Sequence, residues 1–273
     1  MLVAALALAA LAAALVSPRP ALAVVVSRSP GSAAALVSPS PASAAALASA
    51  RSALAAPATP RVLYKRLSDL RTLSHWAYTA TESPVRSTPS SRAPTIGQLR
   101  FFTIDEQAEL YIVLASARLR SGATWLRIEL PGRPNGHTGW VPRAALGPLN
   151  AIRGYLLVDR TNLHATLFRD GRAIFTAPVG VGKASTVTPS GHFYVMEKLR
   201  AVGSPIYGPY ALGTSAYAPT LSEWPGGGVV GIHGTDEPSL IPGRPSHGCI
   251  RMRNEDISRL WAMIALGTPI EII

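Results

Sequence analysis

The sequence contains one cysteine, Cys249, among its 273 residues. A single thiol cannot close a disulfide within its own chain, and it cannot supply the paired cysteines of most structural zinc sites. Disulfide scaffolding is therefore excluded. The cysteine stands in the stretch "RPSHGCIRMRN" at residues 244–254, which raises the question of what a lone thiol does in that setting.

The sequence also lacks a hydrophobic run long enough for a comfortable membrane span. Residues 1–16 are almost purely Ala, Leu and Val, whereas a transmembrane helix needs roughly 20 apolar residues. Such a run matches the apolar core of a secretion signal, and "ALA" at 21–23 fits a cleavage site, although no Lys or Arg precedes it. We predict a signal peptide or anchor over residues 1–23 and an exported protein, periplasmic or associated with the cell wall. A disordered Ala-rich leader in a cytoplasmic protein is the alternative.

Side chains that could pack in a core are scarce between residue 24 and about residue 75. Most of this stretch is Ala, Ser and Pro, as in "SPGSAAALVSPSPASAAALASARS". Such a composition cannot bury enough apolar surface to offset the entropy of ordering, so residues 24–75 are predicted to form a flexible linker. The remaining length suits one large domain or two small ones.

Acidic residues are outnumbered, with 15 Asp and Glu against 26 Lys and Arg. The excess lies in residues 1–150, which carry 15 basic and 6 acidic side chains, whereas residues 151–273 carry 11 and 9. The arginines are scattered, without zinc-finger or helix-turn-helix spacing, so nucleic acid is not a predicted partner. For an exported protein, the basic half predicts contact with anionic wall polymers or a membrane surface. A simple arginine-rich composition is the alternative.

Residues 76–148 show a pattern of short strands and turns. "WAYTATE" begins with apolar residues at alternate positions, and "TWLRIEL" places Leu126, Ile128 and Leu130 on one face. Turn-rich stretches such as "PGRPNGHTG" separate the strands, and "GWVPRAAL" ends the pattern. This arrangement resembles the end of bacterial SH3-like domains, and an unassigned small β domain is the alternative.

Residues 151–273 give a sharper pattern. "GYLLVD", "NLHATLF" and "AIFTAPVG" predict three successive strands. Near the end of the chain, Asn254 is placed to cap a helix that Gly267 stops, and "PIEII" predicts a last strand. Apolar residues recur at helical spacing between these two positions, at Ile257, Leu260, Trp261 and Ile264. The predicted fold class is mostly β, largely antiparallel, with one C-terminal helix.

Cys249 precedes the predicted helix by five residues and therefore lies on a turn. Because the thiolate is the nucleophile and a free cysteine is mostly protonated at neutral pH, a reactive Cys249 needs a base. Two histidines are near in sequence, His247 and His233. His233 ends the predicted strand in "GGGVVGIHG", which would deliver its imidazole to a strand end, so His233 is the predicted base.

Backbone groups complete the predicted site. Gly248 permits a tight turn in which the N–H groups of Gly248 and Cys249 face a developing oxyanion. The carbonyl of Gly234 would hold the second ring nitrogen of His233, the orienting role that an aspartate plays in other triads. These residues together predict nucleophilic acyl transfer.

The same residues carry a resemblance to a known family. "GIHGT" followed by "SHGCIRMRN" resembles the signature of the L,D-transpeptidase catalytic domain family, the YkuD type. The upstream "TPSGHF" resembles the family's Thr-Pro-x-Gly-x-Phe, and "PVGVGK" and "GPYALGTSAY" stand where its strand and substrate-loop segments are expected. The resemblance covers roughly residues 151–273.

This resemblance implies a β-sandwich-like catalytic domain that acts on bacterial peptidoglycan without a cofactor or a metal. Carried over by position, Cys249 would be the nucleophile and His233 the base, with Gly234 orienting the base. His247, Gly248 and the Cys249 amide would form the oxyanion region.

Four further positions match the family pattern with less defined roles. Ser246 and Arg251 lie in the cysteine motif, and a structural ion pair is an equal interpretation for Arg251. Tyr207 and Tyr210 would line the acyl-donor groove or, alternatively, pack half-buried in the β domain.

The implied reaction begins with a tetrapeptide stem. Cys249 would form an acyl-thioester with the third stem residue, release D-alanine, and pass the acyl group to an amine of a neighbouring stem during cell-wall crosslinking. Water as acceptor would make the enzyme an L,D-carboxypeptidase. The alternatives are a catalytically inactive cell-wall-binding protein and a zinc site built from His233, His247 and Cys249. A papain-like arrangement is disfavoured because the sequence has no histidine after the cysteine.

Overall fold

The structure is a computed structural model, and it describes residues 62–200, 204–221 and 225–273. The predicted signal or anchor segment, residues 1–23, and the predicted linker as far as residue 61 lie outside the described residues. The described residues belong to one compact unit that extends from Ala58 to Ile273. Within these ranges, no helix has the length and apolar character needed to cross a membrane.

A first sheet of eight strands occupies the region of the predicted small β module. Its strands are β1 (Leu63–Arg66), β2 (Ser74–Tyr78), β3 (Pro84–Arg86), β4 (Thr95–Gln98), β5 (Leu110–Arg118), β6 (Thr124–Glu129), β7 (Thr138–Pro142) and β8 (Asn150–Ile152). Their spatial order is β4-β3-β7-β6-β5-β2-β8, and β1 pairs with β5 beside this path. Leu126, Ile128 and Leu130 are buried in one core cluster, as their alternation predicted. The resemblance to SH3-like domains stays a prediction.

The sheet extends beyond the predicted module at both ends. Strand β1 and the start of β2 fall within the stretch predicted as linker, residues 24–75, so that prediction is wrong for its last part. All four β1 residues are exposed, and their strand exists because the backbone pairs with β5 over Leu63–Arg66. Strand β8 also belongs to this sheet, through pairing with β2. Because all four side chains are exposed, this strand has no alternation of buried and exposed residues that the sequence could reveal.

A second sheet of ten strands forms the catalytic region. Its strands are β9 (Gly154–Asp159), β10 (His164–Arg169), β11 (Arg172–Pro178), β12 (Gly180–Gly182), β13 (Gly191–Arg200), β14 (Tyr210–Tyr217), β15 (Val229–His233), β16 (Gly243–Ser246), β17 (Ile250–Arg251) and β18 (Pro269–Ile272). The order is β11-β10-β9-β18-β13-β14-β15-β17-β12-β16. Most neighbours are antiparallel, and β15 with β17 is one of the parallel pairs. The predicted fold class is confirmed.

One helix, α1 (Asn254–Met263), occurs among the described residues. Ile257 and Leu260 are buried in the core of the second sheet, and Ile264 follows them there. The predicted cap is wrong: the N-cap residue is Arg253, and Asn254 is the first helical residue. The Oδ1 of Asn254 instead accepts a hydrogen bond from the Thr235 amide at 2.9 Å, which fastens the helix to the loop after β15.

The two sheets share an apolar contact. Tyr194 and Met196 of β13 are buried in one cluster with Leu110 and Ile112 of β5. Because side chains alternate along a strand, β13 directs Phe193 and Val195 into the core of its own sheet and its other face toward the first sheet. Strand β13 is therefore buried on both faces.

Candidate active site

Parallel pairing brings His233 and Cys249 to the same side of the second sheet. In the β15–β17 register, Ile232 is level with Ile250, and both side chains are buried in the core. Because alternate residues face opposite sides, His233 and the residue before Ile250 face away from that core. The Gly231 amide donates a hydrogen bond to Cys249 Sγ at 3.5 Å, which places the sulfur beside β15, two residues before His233.

The turn that carries the cysteine is held by hydrogen bonds within itself. The Gly248 amide donates to Ser246 Oγ at 3.1 Å, and Ser246 Oγ donates to the Cys249 carbonyl at 2.6 Å. Thr188 Oγ1 donates to the Gly248 carbonyl at 2.8 Å. Gly248 has φ of +124°, a backbone conformation that side-chain-bearing residues rarely adopt. Of the two amides predicted for the oxyanion, that of Gly248 therefore has an acceptor inside the turn.

The ring of His233 is held in one orientation. Its Nδ1 lies 2.7 Å from the Gly234 carbonyl oxygen. Because a carbonyl only accepts, Nδ1 carries the proton and Nε2 has the free lone pair. The Tyr207 ring meets the imidazole edge-on, with ring centroids 4.9 Å apart. Burial lowers the pKa of His233 to about 4, the Gly234 hydrogen bond opposes this shift, and the Arg251 charge adds to it.

The thiol of Cys249 shows the opposite shift. Burial raises its pKa, while the Gly231 hydrogen bond and the positive charge of Arg251 lower it in part. Burial disfavours whichever form is charged, which explains both directions. At neutral pH the resting site therefore holds a neutral thiol and a neutral imidazole.

A cavity of about 250 Å³ opens onto these groups. Ala218, Leu221 and Gly228 are among the residues that line it. Seven predicted site residues line it: Tyr207, His233, Ser246, His247, Gly248, Cys249 and Arg251. Tyr210 is not among the lining residues. Its ring stacks on Trp261 with centroids 4.8 Å apart, a contact that favours the packing interpretation, and the groove role of Tyr210 stays a prediction.

Arg251 makes the ion pair that the sequence left open. Its Nη1 lies 3.0 Å from Glu237 Oε2, while its Nε is buried without a hydrogen-bond partner. Nη1 of the guanidinium thus contacts the loop that carries Glu237, while Nε is left as a buried donor without a partner.

Two contributors were missed from the sequence. Asn254 was interpreted as a cap, yet its Oδ1 also lies so close to Gly208 and Gly234 that a Cβ on either glycine would clash with it. Thr188 stands in the quoted "TPSGHF" but received no role. The signal in the sequence for the position of Asn254 was the pair Gly208 and Gly234, since a side chain at either position would clash with Asn254.

The second sheet thus places a cysteine and an oriented histidine in one cavity. The family model for the L,D-transpeptidase catalytic domain matches residues 153–272. The "Putative L,D-transpeptidase YkuD" of Bacillus subtilis (strain 168) is 32% identical over 162 residues, which cover 59% of this chain and 84% of that protein. The chain belongs to the L,D-transpeptidase family and is an enzyme of this class.

Two further similar proteins carry L,D-transpeptidase names. The "Putative L,D-transpeptidase YkuD" of Bacillus licheniformis is 36% identical over 106 residues, which cover 39% of this chain and 57% of that protein. A solved NMR structure of the catalytic domain from the E. faecium L,D-transpeptidase is 27% identical and covers 44% of this chain and 95% of that one, with a TM-score of 0.34.

Proposed function

We propose that this protein is a peptidoglycan L,D-transpeptidase that uses Cys249 as nucleophile and His233 as general base. The observation that carries the proposal is the arrangement of the two side chains. They line one cavity, and the Gly234 carbonyl fixes the imidazole so that Nε2 is the basic atom. The acyl donor is a tetrapeptide stem, and the acceptor is an amine of a neighbouring stem.

Acylation begins from the neutral pair. As Cys249 Sγ attacks the carbonyl carbon of the third stem residue, its proton passes to His233 Nε2. The amide of Cys249 stabilises the oxyanion, since the Gly248 amide already donates to Ser246. The tetrahedral intermediate then collapses, the bond to D-alanine breaks, and the imidazolium returns the proton to the leaving amine. The Arg251 charge favours the Cys249 thiolate but disfavours the His233 imidazolium, so its two effects on this transfer oppose each other.

Deacylation reverses these roles. An acceptor amine attacks the thioester carbonyl while His233 Nε2 removes its proton, a new amide bond forms, and the thiol is regenerated. A thioester reacts readily with amines, which favours crosslinking over hydrolysis. Water at the same position would release a tripeptide and make the enzyme an L,D-carboxypeptidase.

Among the other predicted positions, Tyr207 and Arg251 are the ones whose contacts favour a substrate role. Both line the cavity. His247 is exposed at the same cavity. Ser246 acts through the turn, where it bonds both Gly248 and Cys249.

The substrate fixes the place of action. Peptidoglycan lies outside the cytoplasmic membrane, so we propose export through the segment at residues 1–23, to the periplasm or cell wall. The basic residues of the first half, 15 against 6 acidic ones in residues 1–150, favour contact with anionic wall polymers or a membrane surface.

Product mass decides the reaction. Purified protein incubated with disaccharide-tetrapeptide is expected to release D-alanine and form a species that joins two stems. Cys249→Ala and His233→Ala should abolish both products, whereas His164→Ala, which changes an exposed histidine whose ring hydrogen-bonds the Asn162 carbonyl, should keep them.

Four results would overturn parts of this proposal. Wild-type turnover by Cys249→Ala protein removes the nucleophile assignment. Loss of D-alanine with gain of water, and no joined stems, identifies a carboxypeptidase. Stoichiometric zinc in the purified protein replaces the mechanism with a metal site, and binding without any turnover identifies a wall-binding protein.

A further inference from the structure

The loop between β6 and β7 of the first sheet reaches the catalytic region through Arg133. Its guanidinium donates hydrogen bonds to three backbone carbonyls: Ala218 from Nε at 3.0 Å and Nη2 at 2.8 Å, Leu221 from Nη2 at 2.9 Å, and Gly227 from Nη1 at 2.9 Å. These carbonyls follow strand β14 and precede β15. A planar guanidinium with five donors in a fixed fork can serve several acceptors at once.

Asn135 of the same loop strengthens this connection. Its Nδ2 donates to the Tyr217 carbonyl at 2.8 Å, and its Oδ1 accepts from the Tyr217 amide at 2.9 Å. The Arg133 guanidinium also lies over the Tyr217 ring, 5.3 Å from its centroid. The loop therefore contacts the catalytic region in two ways. The Arg133 guanidinium donates to three backbone carbonyls, and the Asn135 side-chain amide bonds both the carbonyl and the amide of Tyr217.

The backbone that Arg133 holds forms part of the cavity around Cys249. Ala218, Leu221 and Gly228 all line that cavity. The Ala218 methyl group is 3.6 Å from the position that a Cβ on Gly248 would occupy, so it lies against the turn that carries the nucleophile.

The described ends of this wall also bond to each other. The Ala218 amide donates to the Gly228 carbonyl at 2.8 Å, which ties its two ends together. Gly228 has φ of +83°, and a Cβ there would lie 2.6 Å from Arg133 Nη2 and clash with the Leu221 carbonyl. The carbonyls of Ala218, Leu221 and Gly227 thus converge on the Arg133 guanidinium. Removing the guanidinium takes away these hydrogen-bond donors.

We infer that Arg133 is a positioning residue for the wall of the acyl-donor pocket, and that the first sheet thereby sets how the enzyme binds its stem peptide. This inference rests on the proposed function of the Cys249 site. Arg133 touches neither Cys249 nor His233 in any contact described above, so its removal changes where the peptide is held and leaves the proton transfer intact.

Steady-state kinetics with disaccharide-tetrapeptide test the inference. Arg133→Ala should raise KM for the donor by about tenfold, because losing ~1.4 kcal/mol of contact between the peptide and a displaced wall weakens binding tenfold. The turnover number should change far less. Arg133→Lys should fall between wild type and Arg133→Ala, since one ammonium cannot reproduce the fork. Arg120→Ala, which removes an exposed arginine from the same sheet, is the matched control and should keep wild-type KM.

Alkylation of Cys249 by iodoacetamide separates a local change from unfolding. Its rate should be equal in wild type, Arg133→Ala and Arg120→Ala. Wild-type KM in Arg133→Ala overturns the inference, and so does a loss confined to the turnover number. If Arg133→Ala does not fold, Arg133→Lys decides: a wild-type KM overturns the inference and a raised one supports it. An inactive wild-type protein would refute the proposed function itself, which is a different result.

Discussion

The acid limb of the pH profile tests the neutral pair at the active site. Burial holds the pKa of His233 at about 4, whereas an ordinary histidine titrates near 6.5. If neutral imidazole is the base, kcat/KM follows the fraction of His233 without a proton. Between pH 7 and pH 5 that fraction falls by only about a tenth for a pKa of 4, but by roughly 25-fold for a pKa of 6.5. We therefore expect nearly constant kcat/KM over this range.

D-alanine release from disaccharide-tetrapeptide, measured at low substrate from pH 4.5 to 8, gives the profile. A circular dichroism spectrum at each pH shows that the protein stays folded. Arg251→Met should move the acid limb to higher pH, because the Arg251 charge contributes to the low pKa of His233. Arg251→Lys keeps the charge and is the matched control. A wild-type profile that loses half its activity near pH 6.5 would refute the neutral-pair mechanism.

Two further substitutions test the surroundings of the site. Burial raises the pKa of Glu129 to about 8, so the native state keeps its proton up to a higher pH than the unfolded chain does. As pH rises from about 4.5 to 8, the unfolded chain loses this proton first, and the free energy of unfolding falls over that window. Glu129→Gln should thus be more stable than wild type by about 4 kcal/mol at pH 8, with the difference disappearing near pH 4.5 in urea unfolding; equal stability at pH 8 would contradict the shift. Asn254→Ala removes the acceptor of the Thr235 amide and should cost about 1–3 kcal/mol and lower kcat, because Thr235 adjoins the Gly234 that orients His233. Glu255→Gln, at an exposed position of the same helix, is its control, and an unchanged kcat in Asn254→Ala would refute the link.

The sequence predicted what depends on neighbours along the chain. Strands β9, β10 and β11 were found because turns separate apolar alternation, and the helix because its apolar residues recur at helical spacing. The expected partner of His233 Nδ1 was Gly234, one residue away, and the two do lie 2.7 Å apart. Such contacts are set by local geometry.

Contacts between distant residues could not be read in this way. Asparagine is a residue type that often caps helices, which is why Asn254 was predicted as a cap. Its hydrogen-bond partner Thr235 lies 19 residues earlier, and only the folded chain brings the two together. Tyr210 stands in a motif segment, yet its stacking on Trp261 depends on the packing of α1 against β14. The pKa directions of His233 and Cys249 follow from burial, which is a property of the whole domain.

Strand β13 makes the catalytic sheet depend on the first sheet for the burial of an apolar patch. Tyr194 and Met196 project from the catalytic sheet and are covered by Leu110 and Ile112 of the first sheet. A catalytic fragment that began at β9 would expose this apolar patch to water and present it to other chains. A different module could cover this patch only if it supplied a matching apolar face. An inhibitor screen run on the catalytic sheet alone would therefore examine a surface that the first sheet covers in the intact protein.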